Sequence, residues 1–284
     1  MSSFQNSVLD FSKKFNLSFY DKLKIYLCYP AFKACWIYNN RPEKKRLAEF
    51  ILYWSKFFTL KIKISSKYRG LSKVSIRLNA SDIQSFKEIF WGNEYDHDIQ
   101  LDDCESFIDC GANNGMVSFF LLHYAPLSKI ILIEANPQLI PFLSKNLKGL
   151  PQEVEYSLLN ICVSGQSKES VSFYISNNHR LSSMSHFPGA EKVNVSSKPL
   201  RQILAEHSMQ NVDILKMDIE GAEFDILESD PSVFQSFRYL FLEIHGDAHK
   251  RGYFLDKICD LGFEVIKRKE YVAAECETTI LKNI

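Results

Sequence analysis

The stretch Ser106-Phe-Ile-Asp-Cys-Gly-Ala-Asn-Asn-Gly-Met-Val-Ser-Phe-Phe-Leu-Leu122 constrains this 284-residue chain more than any other. Phe107 and Ile108 are short apolar strand material, and Gly111 and Gly115 bracket a turn where the backbone bends sharply and meets a ligand with no Cβ in the way. An apolar helix begins at Met116. The unpaired N–H groups at its start favour a negatively charged ligand group, and Asp109 at the strand end accepts hydrogen bonds from a cationic or hydroxylic one. The stretch therefore predicts a strand, turn and helix that hold a nucleotide-like cofactor.

Strands and helices alternate around it. Lys129–Glu134 is a buried strand ending in an acid, Asn136-Pro137 turns into a helix over Gln138–Leu147, and Val154–Val163 reads as one further strand. Val212–Asp218 and Tyr239–His245 follow, with a helix over Phe224–Glu228 between them. A helix over Phe254–Leu261 and strands over Phe263–Lys267 and Thr278–Lys282 close the chain. This alternation predicts a doubly wound α/β sheet with helices on both faces, starting near residue 79. An insertion at about 164–199 breaks the pattern. It has strand-like Ser170–Ile175 and Val193–Val195 on either side of a polar stretch, Asn177–His186, the kind of excursion that often serves as a substrate loop.

No apolar run reaches the roughly 18 residues needed to span a bilayer, and Met1–Lys14 is polar, so neither a transmembrane helix nor a signal peptide is expected and a cytoplasmic location is the default. Seven cysteines, none in a Cys-x-x-Cys pair, read as reduced thiols, with Cys110 a small residue facing the sheet. The zero net charge conceals a polarity: residues 1–78 hold 16 Lys and Arg against 4 Asp and Glu, a net +12, and residues 79–284 hold 18 against 30, a net −12.

The basic front, residues 1–78, reads as mainly helical and aromatic-rich, with Lys61–Leu78 as strand and turn. Over Arg46–Leu60, apolar side chains recur at Leu47, Phe50, Ile51, Trp54, Phe57 and Phe58, the spacing of one helix face. The front either packs its apolar face on the main domain or offers a surface for anionic membrane lipid or an acidic glycan, since Lys and Arg interleaved with Trp, Tyr and Phe are suited to an interface. Membrane contact would place the enzyme peripherally at the inner membrane face.

The turn offers Gly-Ala-Asn-Asn-Gly instead of the Gly-x-Gly-x-x-Gly of dinucleotide enzymes, and it lacks a P-loop Gly-Lys-Ser/Thr. Glu134, roughly 20 residues further on, is suited to bind both ribose hydroxyls of an adenosine. Asp109 with Glu134 fits S-adenosylmethionine, whose ammonium seeks an acid and which carries no pyrophosphate. Phe107–Gly115, Glu134-Ala-Asn-Pro137, Lys216-Met-Asp-Ile-Glu-Gly-Ala-Glu223 and Leu242-Glu-Ile-His245 together resemble the successive signatures of the FkbM-type family of S-adenosylmethionine-dependent methyltransferases. Gly92–Tyr95 and Ser182-Ser183 also sit where that family has similar residues. The resemblance covers about residues 79–284. It implies a class I, Rossmann-like seven-stranded sheet and O-methylation of sugar or polyketide hydroxyls. It further implies that Asp109, Gly111, Asn113 and Gly115 cradle the methionine portion, that Glu134 binds the ribose, and that Asn136 and Asn160 lie near the adenine. Arg201 departs from the pattern, which has Leu-Asp at that point.

Methyl transfer to a sugar hydroxyl benefits from a base. Asp218, Glu220, Glu243 and His245 lie at the carboxyl ends of two strands beside the crevice, and the reading favours His245 as base, with Asp218 or Glu220 orienting it or the acceptor. In the bland alternative His245 is structural and the acids cap the helix after Gly221. A third arrangement has Asp218, Glu220 and His245 hold a divalent metal, although no ligand motif demands one. The expected acceptor is a glycan, such as a glycolipid or surface polysaccharide. An N-methyltransferase of nucleic acid or protein is the first rival, opposed by the acidic body and by the absence of Asn/Asp-Pro-Pro-aromatic, so no nucleic-acid partner is expected. A non-catalytic interaction module on the same fold is the second.

Overall fold

The computed structural model describes residues 3–92, 94–95, 99–176, 182–184, 188–271 and 275–284. Asn93 of the Gly92–Tyr95 element, and residues 177–181 and 185–186 of the expected substrate loop, lie outside them.

The front forms α1 (Ser3–Lys14), α2 (Phe19–Leu27), α3 (Tyr29–Asn40), α4 (Lys45–Ser55) and an antiparallel hairpin of β1 (Thr59–Ser66) and β2 (Gly70–Arg77). Next comes α5 (Ala80–Phe86), started by the Asn79 side chain accepting from the Asp82 N–H and continued by a π-helical turn over Lys87–Trp91. The helix thus ends in a wider turn.

The body then alternates: β3 (Ser106–Cys110), α6 (Met116–Tyr124), β4 (Lys129–Ile133), α7 (Ile140–Leu147), β5 (Glu155–Leu159), β6 (Cys162–Val163), β7 (Lys168–Ile175), β8 (Glu191–Lys198), α8 (Leu200–Glu206), β9 (Val212–Met217), α9 (Glu223–Ser229), β10 (Phe237–His245), α10 (Ala248–Asp260), β11 (Phe263–Tyr271) and β12 (Cys276–Asn283). Seven of these strands make one sheet in the order β11-β12-β10-β9-β3-β4-β5. All run parallel except β12, which is antiparallel to both its neighbours. The fold is the class I, Rossmann-like methyltransferase sheet, and its order reverses direction at β3, where such sheets open a crevice beyond the carboxyl ends of the strands.

Strand periodicity explains the continuous apolar runs. Successive side chains point to opposite faces, so a strand covered on both sides needs an apolar residue at every position. Phe107, Ile130, Leu132, Ile214 and Phe241 join one core with α6 and the front, whereas Ile108, Ile131, Leu215, Leu240 and Leu242 join a second core under α8, α9 and α10.

The segment Val154–Val163, expected as one strand, is two. β5 stays in the main sheet beside β4, while β6 leaves it to pair with β8 in a three-stranded sheet with β7. Asn160 marks the break, its amide donating to the carbonyls of Glu134 at 2.8 Å and Ala135 at 3.1 Å instead of continuing a ladder. The insertion supplies β7 and β8, which contain the strand-like Ser170–Ile175 and Val193–Val195 and extend beyond them.

The front is stapled to the body. Phe11 of α1 and Phe15 just after it meet Phe86 and Phe90 at ring separations of 5.2 and 5.3 Å, and Phe90 meets Phe120 of α6 at 5.9 Å. The Asn146 side chain pairs with both backbone groups of Ser75. α4 behaves differently. It buries Ala48 and Leu52, leaves Ile51 half-buried, and exposes Leu47, Phe50, Trp54, Phe57 and Phe58, most of the face on which core packing was one of the two readings. All seven cysteines are free thiols.

Gly111 sits at φ +78°, and a Cβ there would lie 1.8 Å from the Asp218 carbonyl oxygen. The glycine therefore admits the backbone of the neighbouring strand end, a closer constraint than any ligand. Gly111→Ala should cost more than about 3 kcal/mol, combining left-handed strain with a backbone clash. Denaturant titration checks this; a loss below about 1 kcal/mol would show that the two turns separate easily.

Candidate active site

The crevice opens where β3, β4 and β9 end, and it encloses about 1010 Å³ of empty space, part of it open to solvent. Its floor is a buried charge cluster. Lys216, on β9, is 3% exposed and donates to the Gly111 carbonyl at 2.7 Å, with the Cys110 carbonyl at 3.3 Å. Its ammonium lies 3.4 Å from Asp109 and 3.7 Å from Asp218. Burial disfavours the charge, but Asp109, Asp218 and Glu243 outweigh it and hold Lys216 above the ordinary ammonium range. Asp109 is fully buried, accepts from the Ser118 hydroxyl at 3.4 Å, and is itself raised by burial against the pull of Lys216. The cation that Asp109 faces is thus internal, a correction to the expectation that it receives a ligand's ammonium. Lys216 was quoted in the signature without a role. Its signal was its position, a cation inside an apolar strand, which needs a buried acid.

Beside this floor the turn is built as expected. Asn113, at φ +51°, donates its backbone N–H to Glu134 Oε2 at 2.7 Å, and Asn136 donates its own to Oε1 at 2.7 Å. Glu134 lines the crevice, and burial pushes its carboxyl up to about 7 against those two hydrogen bonds. Asn113 Oδ1 is buried with no hydrogen-bond partner among the described residues. Gly115, at φ +79°, lets α7 approach, since a Cβ would lie 2.9 Å from Leu143 Cδ1.

Asn136 and Asn160 have scaffold contacts. Asn136 is fully buried and caps the Gln138 N–H, and Asn160 fixes the Glu134–Ala135 carbonyls. The crevice wall on that side is apolar instead: Ala135, Ile161, Val163 and Phe173. Ile161 reaches this wall because the chain leaves the main sheet between β5 and β6, a break that the strand-like pattern of Val154–Val163 does not reveal. Ser182 also lines the crevice, with Ser183 bridged to Tyr174. Arg201 is remote from it, in an exposed ion pair with Asp230 at 2.5 Å.

The opposite wall carries Asp218, Glu220, Glu243 and Glu94. His245 stands behind these acids. Its Nδ1 lies 3.2 Å from Glu223, and its Nε2 lies 3.5 Å from Glu220, 3.7 Å from Glu243 and 3.9 Å from Asp218. Burial disfavours the imidazolium, yet the Glu223 hydrogen bond and the charges of Glu223, Asp218 and Glu220 push His245 up to about 10. At neutral pH it is a cation with no lone pair to offer, which undercuts the general-base role expected for it. It faces a separate shallow depression with Phe224, His249 and Tyr253. Glu243 is held well above the usual carboxylate range, first by burial and then by Asp218 and Glu94. Asp218, Glu220 and His245 bring their ligand atoms within 4.8 Å of one another, as do Glu243, His245 and Cys276.

The model of the family described as "Methyltransferase FkbM domain" matches residues 109–265, over half of the chain. The curated protein "Methyltransferase sdnD" of Sordaria araneosa is 26% identical over 231 residues, covering 70% of this chain and 86% of its own length. "Methyltransferase 1" of Beauveria bassiana is 26% identical over 189 residues, covering 59% and 74%. Among solved structures, the methyltransferase FkbM from Methylobacillus flagellatus KT matches with a TM-score of 0.43 at 14% identity, over 65% of this chain and 44% of that one. By the extent of the family match and the sheet that carries it, this chain belongs to the FkbM family of S-adenosylmethionine-dependent methyltransferases.

Proposed function

We propose that the protein transfers the methyl group of S-adenosylmethionine to a hydroxyl oxygen of a sugar or glycan. The observation that carries this reading is the composition of the crevice mouth. Asp218, Glu220, Glu243 and Glu94 converge there, and Lys216 is the only cation among the described residues that line it. Such a wall repels phosphates and suits a neutral, polyhydroxylated acceptor, whose hydroxyls donate to carboxylates.

The residues present fit the cofactor. Each Glu134 oxygen takes one backbone N–H and keeps a lone pair for a ribose hydroxyl. Ala135, Ile161, Val163 and Phe173 offer an apolar slot for the adenine, and the partnerless Asn113 oxygen in the glycine turn suits the methionine end. Bound there, S-adenosylmethionine supplies a methyl carbon on a cationic sulfur. Asp218 then orients the acceptor hydroxyl and takes its proton, with Glu220 beside it. His245, 3.9 Å from Asp218 and 3.5 Å from Glu220, acts as a positioning residue that holds both carboxylates in place. The acceptor leaves as a methyl ether.

Asp218→Asn should lower turnover by about 10²–10⁴-fold while leaving cofactor affinity within about threefold. His245→Gln should lose less; a larger loss than Asp218→Asn returns the base role to His245. Turnover should survive exhaustive chelation, and a loss restored by magnesium would instead make Asp218, Glu220 and His245 metal ligands. Mass spectrometry of cells with wild type or Asp218→Asn should place the additional CH2 on glycans or glycolipids; its appearance on protein or nucleic acid overturns the proposal.

The Glu134 shift sets the pH dependence of cofactor binding. The carboxyl is neutral below about 7, and the ribose hydroxyls favour its ionised form, so affinity should rise between about pH 6 and 8, with proton release on binding below 7. Glu134→Gln should flatten that profile and weaken binding by about 10–100-fold. Calorimetry in buffers of different ionisation enthalpy measures both effects, and a flat wild-type profile would remove Glu134 from the ribose site.

A further inference from the structure

The helix α4 presents its apolar stripe to solvent. Leu47, Phe50, Tyr53 and Trp54 of the helix, with Phe57 and Phe58 just beyond its end, are each 54–67% exposed, while Ala48 and Leu52 lie on the side that packs. The rings touch one another: Phe50 and Trp54 at 6.5 Å, Tyr53 and Trp54 at 5.6 Å, Tyr53 and Phe57 at 6.0 Å, Trp54 and Phe57 at 6.3 Å. They form a continuous apolar ridge of the kind that monomeric proteins keep for interaction sites. α2 repeats the design, with Phe19, Tyr20, Leu23 and Leu27 exposed.

The charges around the ridge say what covers it. Residues 41–61 carry six Lys and Arg against two Glu. Lys44, Lys45 and Arg46 lie exposed at the start of the helix and Lys56 at its end. The Lys56 ammonium stands 4.1 Å over the Tyr53 ring and 5.5 Å over Phe57, so its charge rides at the edge of the apolar surface. A convex ridge of Phe, Trp and Leu rimmed by lysine matches the headgroup and acyl boundary of an anionic bilayer. The helix has 11 residues, and no helix among the described residues is long and apolar enough to cross a membrane, so the contact is peripheral.

We propose that α4, with the exposed stripe of α2 as a second contact, anchors the protein on an anionic lipid surface: Leu47, Phe50, Trp54 and Phe57 enter the interface, and Lys44, Lys45, Arg46 and Lys56 pair with lipid phosphates. This surface is distinct from the cofactor crevice and does not depend on the identity of the acceptor.

Flotation of the full chain tests it, with vesicles of phosphatidylcholine alone or with about 30% phosphatidylserine, at about 0.1 and 0.5 M salt. The protein should float with the anionic vesicles at low salt, and at least about tenfold more weakly with neutral vesicles or at high salt. The triple variant Phe50→Ser, Trp54→Ser, Phe57→Ser, and separately Lys44→Glu, Lys45→Glu, Arg46→Glu, should each lose at least about tenfold in partitioning. Both should keep the wild-type melting temperature and cofactor affinity, since the altered side chains are exposed. Failure of the wild type to float at low salt, equal floating on neutral vesicles, or unaltered floating of the aromatic variant overturns the proposal. So does sedimentation showing a wild-type dimer that the aromatic variant dissociates, which would assign the ridge to a second copy of the chain.

Discussion

The buried ammonium of Lys216 is the contact on which the rest of the site depends. It joins the ends of two parallel strands at the point where the sheet reverses its order, reaching the carbonyls of Cys110 and Gly111 from one strand while facing Asp109 and Asp218. An isolated charge there would be expelled at a cost of several kcal/mol, so the arrangement persists only because every member is present at once. The Asp218 N–H to Cys110 carbonyl bond, 3.1 Å, and the close pass of Gly111 under the Asp218 carbonyl complete the same joint. A glycine turn and an acidic turn, distant in sequence, are thereby held as one rigid floor. What that floor offers is fixed geometry between Glu134 on one side and Asp218 on the other, and fixed geometry is the larger part of catalysing a displacement.

Charge placement around His245 follows the same logic and reverses the roles that its residue type suggests. Histidine is the side chain most often cast as a base because its ordinary pKa lies near neutrality. Here Glu223, fully buried and 3.2 Å from Nδ1, works with Glu220 and Asp218 to keep the ring charged. A ring that never releases its proton at neutral pH organises the carboxylates in front of it. That cation also pulls against the burial and the Asp218 and Glu94 charges that raise the Glu243 carboxyl.

The sequence made the sheet legible because parallel strands covered on both faces must be apolar throughout, and β3, β4, β9 and β10 obey that rule with few exceptions. The exceptions were the informative positions. Asp109 and Lys216 broke apolar strands because they answer each other, a pairing across more than a hundred residues that no local pattern encodes. Glu134 was legible because its spacing from the glycine turn follows from the length of a helix and its return. The family resemblance placed Asn136 and Asn160 near the adenine; the amide of Asn160 is taken up by two backbone carbonyls, a use that is indistinguishable in sequence from reading a base, whereas Asn136 accepts from the Gln138 N–H and keeps its Nδ2 without a hydrogen-bond partner among the described residues. Periodicity located the apolar stripe of α4 but could not tell which way it faces. That depends on whether a partner surface exists in the fold, and α3 receives the side of the helix that carries Ala48 and Leu52.

Taken together, the two charge systems divide the protein's work. An acidic body would be pushed away from an anionic surface, and a basic front would be drawn to one, so the net charge of zero is a separation of tasks and not an absence of field. Because the front is fused to the body through the Phe11, Phe15, Phe90 and Phe120 stack, attraction at one end is transmitted without a flexible linker. A rigid body held by one end and repelled at the other adopts a restricted orientation instead of lying flat. An acidic crevice on such a body disfavours phosphate groups and favours hydroxyl donors, so the basic front and the acidic crevice select opposite chemistries at the two ends of one rigid unit.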